Sequence, residues 1–160
     1  MRTIRTKVYK FDELSKDAQK KAIEWFRNTD NSSNYEWAWE NVKDDAEQVG
    51  LKLIELNDHR PNVGEFIKDA DYCAGEIIEN HGDACETYKT AAKYLDDRSK
   101  LDIDEQEDEL EELDTDFLQS ILEDYRIMYN EDIDHQDTDE FITEQLIANE
   151  YEFTKDGNRF

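Results

Sequence analysis

The 160-residue chain sets 43 acidic against 19 basic residues, for a formal net charge of −24 at neutral pH. That balance excludes a conventional nucleic-acid binder, which needs basic surface, and opposes adsorption to anionic membranes. A mean hydropathy of −1.02 leans toward disorder, but 11% aromatic residues and several clean apolar periodicities predict a folded single domain over 1–160.

The charge is unevenly spread. Residues 1–60 hold 11 basic and 12 acidic side chains, whereas residues 61–160 hold 8 and 31. A near-neutral half therefore precedes a strongly acidic half, which does not fit a uniformly salt-adapted protein. A single-sign block of this kind serves either as an interaction surface or as a solvated tail.

In chain order, residues 3–11 alternate well enough for a strand, with Ile4, Thr6 and Val8 on one face. Ser15 is placed to cap a helix whose apolar face carries Ala18, Ala22, Trp25 and Phe26. After the polar loop TDNSSN, Ser33-x-x-Glu36 forms a capping-box pattern for a second helix. Tyr35, Ala38, Val42, Ala46 and Val49 make its apolar face, and Gly50 is the expected stop. Residues 51–56 (LKLIEL) predict a strand. Asn62-x-x-Glu65 then predicts a third helix with Phe66, Ala70, Cys73 and Ile77 on one stripe, ending at His81-Gly82. Asp83 is placed to cap a shorter helix bearing Cys85, Tyr88, Ala92 and Leu95.

The acidic stretch at residues 96–124 follows, and it organises the functional reading. No basic residue occurs between Lys100 and Arg126. Twelve carboxylates lie between them: Asp102, Asp104, Glu105, Glu107, Asp108, Glu109, Glu111, Glu112, Asp114, Asp116, Glu123 and Asp124. Beneath them runs a helical stripe of Leu110, Leu113, Phe117, Ile121, Tyr125 and Met128. The spacing predicts loose chain over 96–107 and a helix over about 108–129, buried on one face and anionic on the other. If wholly helical, the twelve charges span about 35 Å. That is about half the linear charge density of a DNA duplex, which carries one charge per roughly 1.7 Å. Glu131, Asp132, Asp134, Asp137, Asp139 and Glu140 continue the acidic run. Thr138 opens a last helix with Phe141, Ile142, Gln145, Leu146 and Asn149 toward the core, and Asp156-Gly157 signals a terminal hairpin. The expected class is α+β and predominantly helical. It comprises five to six helices and a small antiparallel sheet built from the N-terminal strand, residues 51–56 and the C-terminal hairpin.

The segments TKVYKFDELSKDAQKKAIEW, ENHGDACETYKTAAKYL, FLQSILEDYRIMYN and IANEYEFTKDGNRF together resemble a set of small phage and prophage proteins. Members of that set are often labelled antitoxins of a toxin–antitoxin stability system. The resemblance implies an accessory gene of a mobile element acting inside a bacterium, and it brings no catalytic motif. The chain has no basic helix or arm of the kind an operator-binding antitoxin uses.

Other chemistry is weakly encoded. Cys73, His81 and Cys85 have the spacing C-x7-H-x3-C, which lacks both the fourth ligand and the short cysteine pair of a structural zinc site. Both cysteines fall on apolar helical faces and are expected as buried thiols; two do not make a disulfide framework. Calcium loops starting at Asp102 or Asp132 lack the sixth-position glycine and twelfth-position glutamate. No nucleophile elbow, P-loop or dinucleotide fingerprint occurs, and no cofactor is expected. Trp37 and Trp39 lie two apart on a predicted helix and cannot share a face, so one of them is expected to be exposed or at a contact surface. Without a signal sequence or an 18-residue apolar run, a cytoplasmic location in the bacterial host is expected.

These features combine into a non-enzymatic acidic inhibitor. The eighteen carboxylates named above would occupy the basic groove of a host defence protein, as anti-CRISPR or antirestriction proteins do, or of another nucleic-acid-handling protein. The alternative is an antitoxin that neutralises a toxin by direct contact through aromatic anchors such as Trp37 or Trp39. Neither reading involves direct nucleic-acid or membrane binding.

Overall fold

The computed structural model describes residues 7–29, 32–102 and 104–160. Among them lie six α-helices and four short strands, a predominantly helical α+β arrangement. In order these are β1 (Tyr9–Lys10), α1 (Lys16–Arg27), α2 (Ser32–Gln48), β2 (Leu51–Glu55) and β3 (Val63–Phe66). They are followed by α3 (Ala70–Asn80), α4 (Glu86–Arg98), α5 (Glu107–Gln136), α6 (Asp139–Ala148) and β4 (Glu152–Phe153). The chain divides into two compact units, residues 1–36 with 132–160, and residues 37–131.

In the first unit, β1 pairs antiparallel with β4, Tyr9 opposite Phe153. The strand continues into a 3-10 turn at Phe11–Glu13, held by the Lys10 amide donating to Glu13 Oε2 at 2.8 Å. The turn takes Phe11 from the end of the expected strand, whose positions Ile4 and Thr6 lie outside the described residues. Ser15 caps α1 as its sequence predicts, its hydroxyl accepting from the Ala18 amide, and Thr138 caps α6 in the same way. Phe11, Leu14, Ala18, Ala22, Ile23, Ile142, Leu146 and Phe153 form the core. Trp25 packs edge-on against Phe26, Tyr151 and Phe153 beside it. The terminal turn at Gly157 adopts a φ of +80°, and an added Cβ there would stand 2.2 Å from the Ala18 carbonyl oxygen. Glycine is thus required both for the conformation and for the close approach.

In the second unit, Ala38, Val42, Ala46 and Val49 of α2 are buried as the heptad-like spacing predicts. Tyr35, placed on that face by sequence, is 51% exposed, and the side chain of Ser33 lies outside the described residues. Gly50 ends the helix at φ +84° and turns the chain into β2. The single sheet expected from sequence is instead two separate ones, because β2 pairs with β3 and not with the terminal strands. The cause lies at Asn62. Its side chain accepts from the Asn57 amide at 2.8 Å and donates to Glu123 at 3.0 Å, so it closes a β-hairpin loop instead of capping a helix. Helix α3 therefore starts at Ala70, with Ala70, Cys73, Ala74 and Ile77 buried. Helix α4 starts after Cys85, and its buried face is Thr87, Ala91 and Tyr94, one residue off the predicted stripe. That shift leaves Cys85 exposed, correcting its expected burial, while Cys73 is fully buried and its thiol is pushed up to about 12.

Candidate interaction surface

Helix α5 gathers the candidate residues. It begins at Glu107, and Asp102 is tied by hydrogen bonds to the residues just before it. The Asp102 carbonyl accepts from the amides of Glu105 and Gln106, and Gln106 Oε1 accepts from the Asp102 amide at 2.9 Å. Glu107, Asp108 and Glu109 stand in the first helical turn, where carboxylates complement the helix dipole. On the inner side Phe117, Ile121, Leu122 and Tyr125 are buried, with Leu113 and Met128 packed against the same core. At about 100° per residue, Asp108, Glu109, Glu112, Asp116 and Glu123 lie on the opposite side of the helix from that core.

The anionic face is shorter than the sequence predicts. Over residues 107–116, Glu107, Asp108, Glu109, Glu111, Glu112 and Asp116 are all exposed. They amount to one charge per about 2.3 Å of helix axis, between the roughly 1.7 Å of a duplex and 3.4 Å of one strand. None of them forms an ion pair with a described residue. Asp102, Asp104 and Glu105 extend the patch into the preceding turn. Over residues 117–130 the outward positions are Gln119, Ser120, Glu123, Arg126, Ile127 and Asn130; with the half-buried Asp124 the net charge there is only −1.

The remaining carboxylates of the stretch are engaged. Asp114 accepts from the Tyr94 hydroxyl at 2.6 Å, with Arg98 Nη1 at 3.8 Å. Glu123 receives two hydrogen bonds from Arg126, at 2.9 and 2.6 Å, and one from Asn62. Arg126 and Asn62 hold the Glu123 carboxyl below its ordinary range. Asp124 accepts from the Thr90 hydroxyl at 2.6 Å, yet burial raises its carboxyl above the ordinary range.

The acidic residues after α5's midpoint divide between the units. Glu131 is exposed in the second unit; Asp132, Asp134, Asp137, Asp139 and Glu140 belong to the first. There Arg27 binds Asp137 at 3.2 Å and Asp139 at 2.5 Å, Asp132 is half-buried, and Asp134 and Glu140 are exposed. The aromatic alternatives also separate: Trp37 is 57% exposed, whereas Trp39 is half-buried and meets the Tyr129 ring edge-on.

Two polar networks in the second unit went unread in the sequence. Asp45 Oδ2 accepts from the Tyr125 hydroxyl at 2.7 Å and lies 3.3 Å from His81 Nε2, off the line of a hydrogen bond. His81 Nδ1 lies 2.7 Å from Thr87 Oγ1. His81 and then Tyr125 hold the Asp45 carboxyl below its ordinary range. In the other network, Arg126 joins Glu123 to Asp58, which also accepts from Asn130. The i,i+3 spacing of Glu123 and Arg126 was the one legible trace of it. A polar cleft of about 420 Å³ over this loop is lined by Asn57, Asp58, Arg60, Asn62, Glu123 and Arg126 among others. Among the described residues no three His, Cys, Asp or Glu side chains are grouped to hold a metal ion, and no helix is long and apolar enough to cross a membrane.

No protein-family model, curated protein or solved structure matches this chain.

Proposed function

We propose that this chain is a non-enzymatic inhibitor of a phage or other mobile element. It presents the first half of α5 to the basic groove of a bacterial nucleic-acid-handling protein, of the kind that anti-CRISPR and antirestriction proteins block. One observation carries the reading: Asp108, Glu109, Glu112 and Asp116 stand exposed on the side of α5 away from the core, with Glu107 and Glu111 exposed beside them, and none is paired with a described cation. The backbone fixes those charges before binding, so a partner's lysines and arginines meet a preformed anionic surface. Association is then fast and steered, and the small ions released from the partner's groove favour the complex. The patch is about 14 Å long, so it fits a short basic site better than an extended duplex channel.

The test is capture from bacterial lysate at about 50 and 500 mM salt, a range over which exposed charge contacts are screened. Wild-type chain is compared with the variant Asp108→Asn/Glu109→Gln/Glu112→Gln/Asp116→Asn. Basic nucleic-acid-binding proteins should be recovered by the wild type at low salt only, and their own DNA or RNA binding should be blocked by added chain. Recovery undiminished by the four neutralisations, or no such protein at either salt, contradicts the proposal.

Neutralisation of a toxin by direct contact is the second reading, and the exposure of Trp37 favours it. Trp39 is committed to the Tyr129 packing, so the anchor would be Trp37 alone. Trp37→Ala would then abolish capture while the four neutralisations leave it intact.

A further inference from the structure

The hairpin of β2 and β3 buries one face and leaves the other open. Leu51, Leu53 and Phe66 point into the core. Outward stand Lys52, Ile54, Glu55, Val63, Glu65 and Ile67. Three of these are large apolar side chains left substantially in water: Ile54 is 50%, Val63 43% and Ile67 50% exposed. The register orders them across the ladder. Lys52 stands opposite Glu65, their charged groups 2.8 Å apart. Val63 is the register partner of Glu55, and the irregularity between Leu53 and Glu55 brings Ile54 to the same side; Glu55 itself pairs with Arg60 at 3.1 Å. The Ile67 amide donates to the Gly50 carbonyl at 2.8 Å, which places Ile67 just beyond the ion pair.

We infer that this face packs on the same face of a second copy of the chain. A two-fold axis running along the ladder, between the strands, exchanges β2 of one copy for β3 of the other. Lys52 then meets the second copy's Glu65, Ile54 meets Val63, and the two Ile67 side chains meet each other. The face meets itself with Lys52 and Glu65 against their opposites and Ile54 against Val63, as an isologous contact requires, while Glu55 stays with Arg60 of its own chain at the rim. It is also nearly neutral in a chain of net charge −24, so it is where two such molecules approach with least repulsion. The patch is small beside the roughly 800 Å² per partner of a standard interface, so the dimer is weak and transient. This contact does not depend on the role of the acidic helix.

Sedimentation of the full chain from about 5 to 500 µM tests it, at salt near 50 and 500 mM. Reversible dimers should form toward the upper concentrations. They should be stronger at high salt, because screening relieves the repulsion between the two acidic bodies. Ile54→Lys and Ile67→Lys should each weaken the dimer about tenfold or more. Lys52→Glu should weaken it, and Lys52→Glu/Glu65→Lys should return it to near wild type. Thermal melting of each variant checks that it is folded, and the charge-swap pair keeps the test decisive if either lysine variant melts early. A chain that stays monomeric throughout overturns the inference. So does a dimer indifferent to Ile54→Lys and Ile67→Lys, or an assembly that grows as salt falls.

Discussion

The two halves of α5 use the same residue types for different ends. Between Glu107 and Asp116 most acids face water without a cation, and only Asp114 is tied, to Tyr94 and Arg98. Between Phe117 and Asn130 both acids are committed: Glu123 to Arg126 and Asn62, Asp124 to Thr90. Stability is thus concentrated in the second half, where apolar burial and satisfied polar groups coincide. Beyond the helix-dipole contribution of Glu107, Asp108 and Glu109, the first half holds charge that no described cation pairs. A helix serving only solubility would have no need to separate the two so sharply along its length.

Several substitutions break or sharpen that contrast. The largest effect should come from Phe117→Ala at the junction, since Phe117 stacks on Tyr94 at 4.3 Å and on Phe66 at 5.7 Å. Chemical denaturation should show a loss of about 3–5 kcal/mol. Tyr94→Phe removes the hydroxyl that donates to Asp114 and should cost about 1 kcal/mol, as the freed carboxylate is only half-buried.

Two buried-edge carboxylates should respond to pH in opposite directions. The Asp45 carboxyl is held below the ordinary range by His81 and Tyr125, so its contribution is present at neutral pH and is lost as pH falls through its lowered value. Asp45→Asn should therefore destabilise at pH 7, with the penalty shrinking in acid below the ordinary aspartate range. Burial raises the Asp124 carboxyl, so its protonated form suits the fold and its ionisation opposes folding as pH rises. Asp124→Asn should raise the melting midpoint at pH 7, and the gain should vanish near pH 3, about where both side chains are neutral. The reverse pattern in either variant would contradict the assignment.

The smallest effect is expected in the first half. Glu112→Gln and Asp116→Asn together, both beyond the first turn, should leave the melting midpoint unchanged or slightly higher, because like charges four apart repel. A clear loss of stability would mean that the acids have a structural role after all.

Much of this arrangement was legible where local chemistry and tertiary packing agree. The stripe from Leu110 to Met128 placed the start of α5 and its buried face, although the helix runs on to Gln136, past the expected end near residue 129; Ser15 and Thr138 marked helix starts, and Gly50 marked a stop. The chain misled where one residue type has two uses. Asn62-x-x-Glu65 has the form of a helix cap, but a nearby amide at Asn57 and a distant carboxylate at Glu123 claim the Asn62 side chain. Asp83 likewise suggested a helix cap, a place that Cys85 takes two residues later. The acidic stretch gave the composition of the surface but not its extent. Which carboxylates are free depends on Thr90, Tyr94, Arg98 and Asn62, all far from them in sequence.

The central claim is that the free carboxylates of α5's first half form the binding surface, and one salt series tests it. Affinity for the basic protein recovered from lysate is measured across salt for the wild type and for Asp108→Asn/Glu109→Gln/Glu112→Gln/Asp116→Asn. Wild-type affinity should fall steeply with salt and the variant's far less, the two converging at high salt. Parallel curves of equal affinity would show that those four acids take no part.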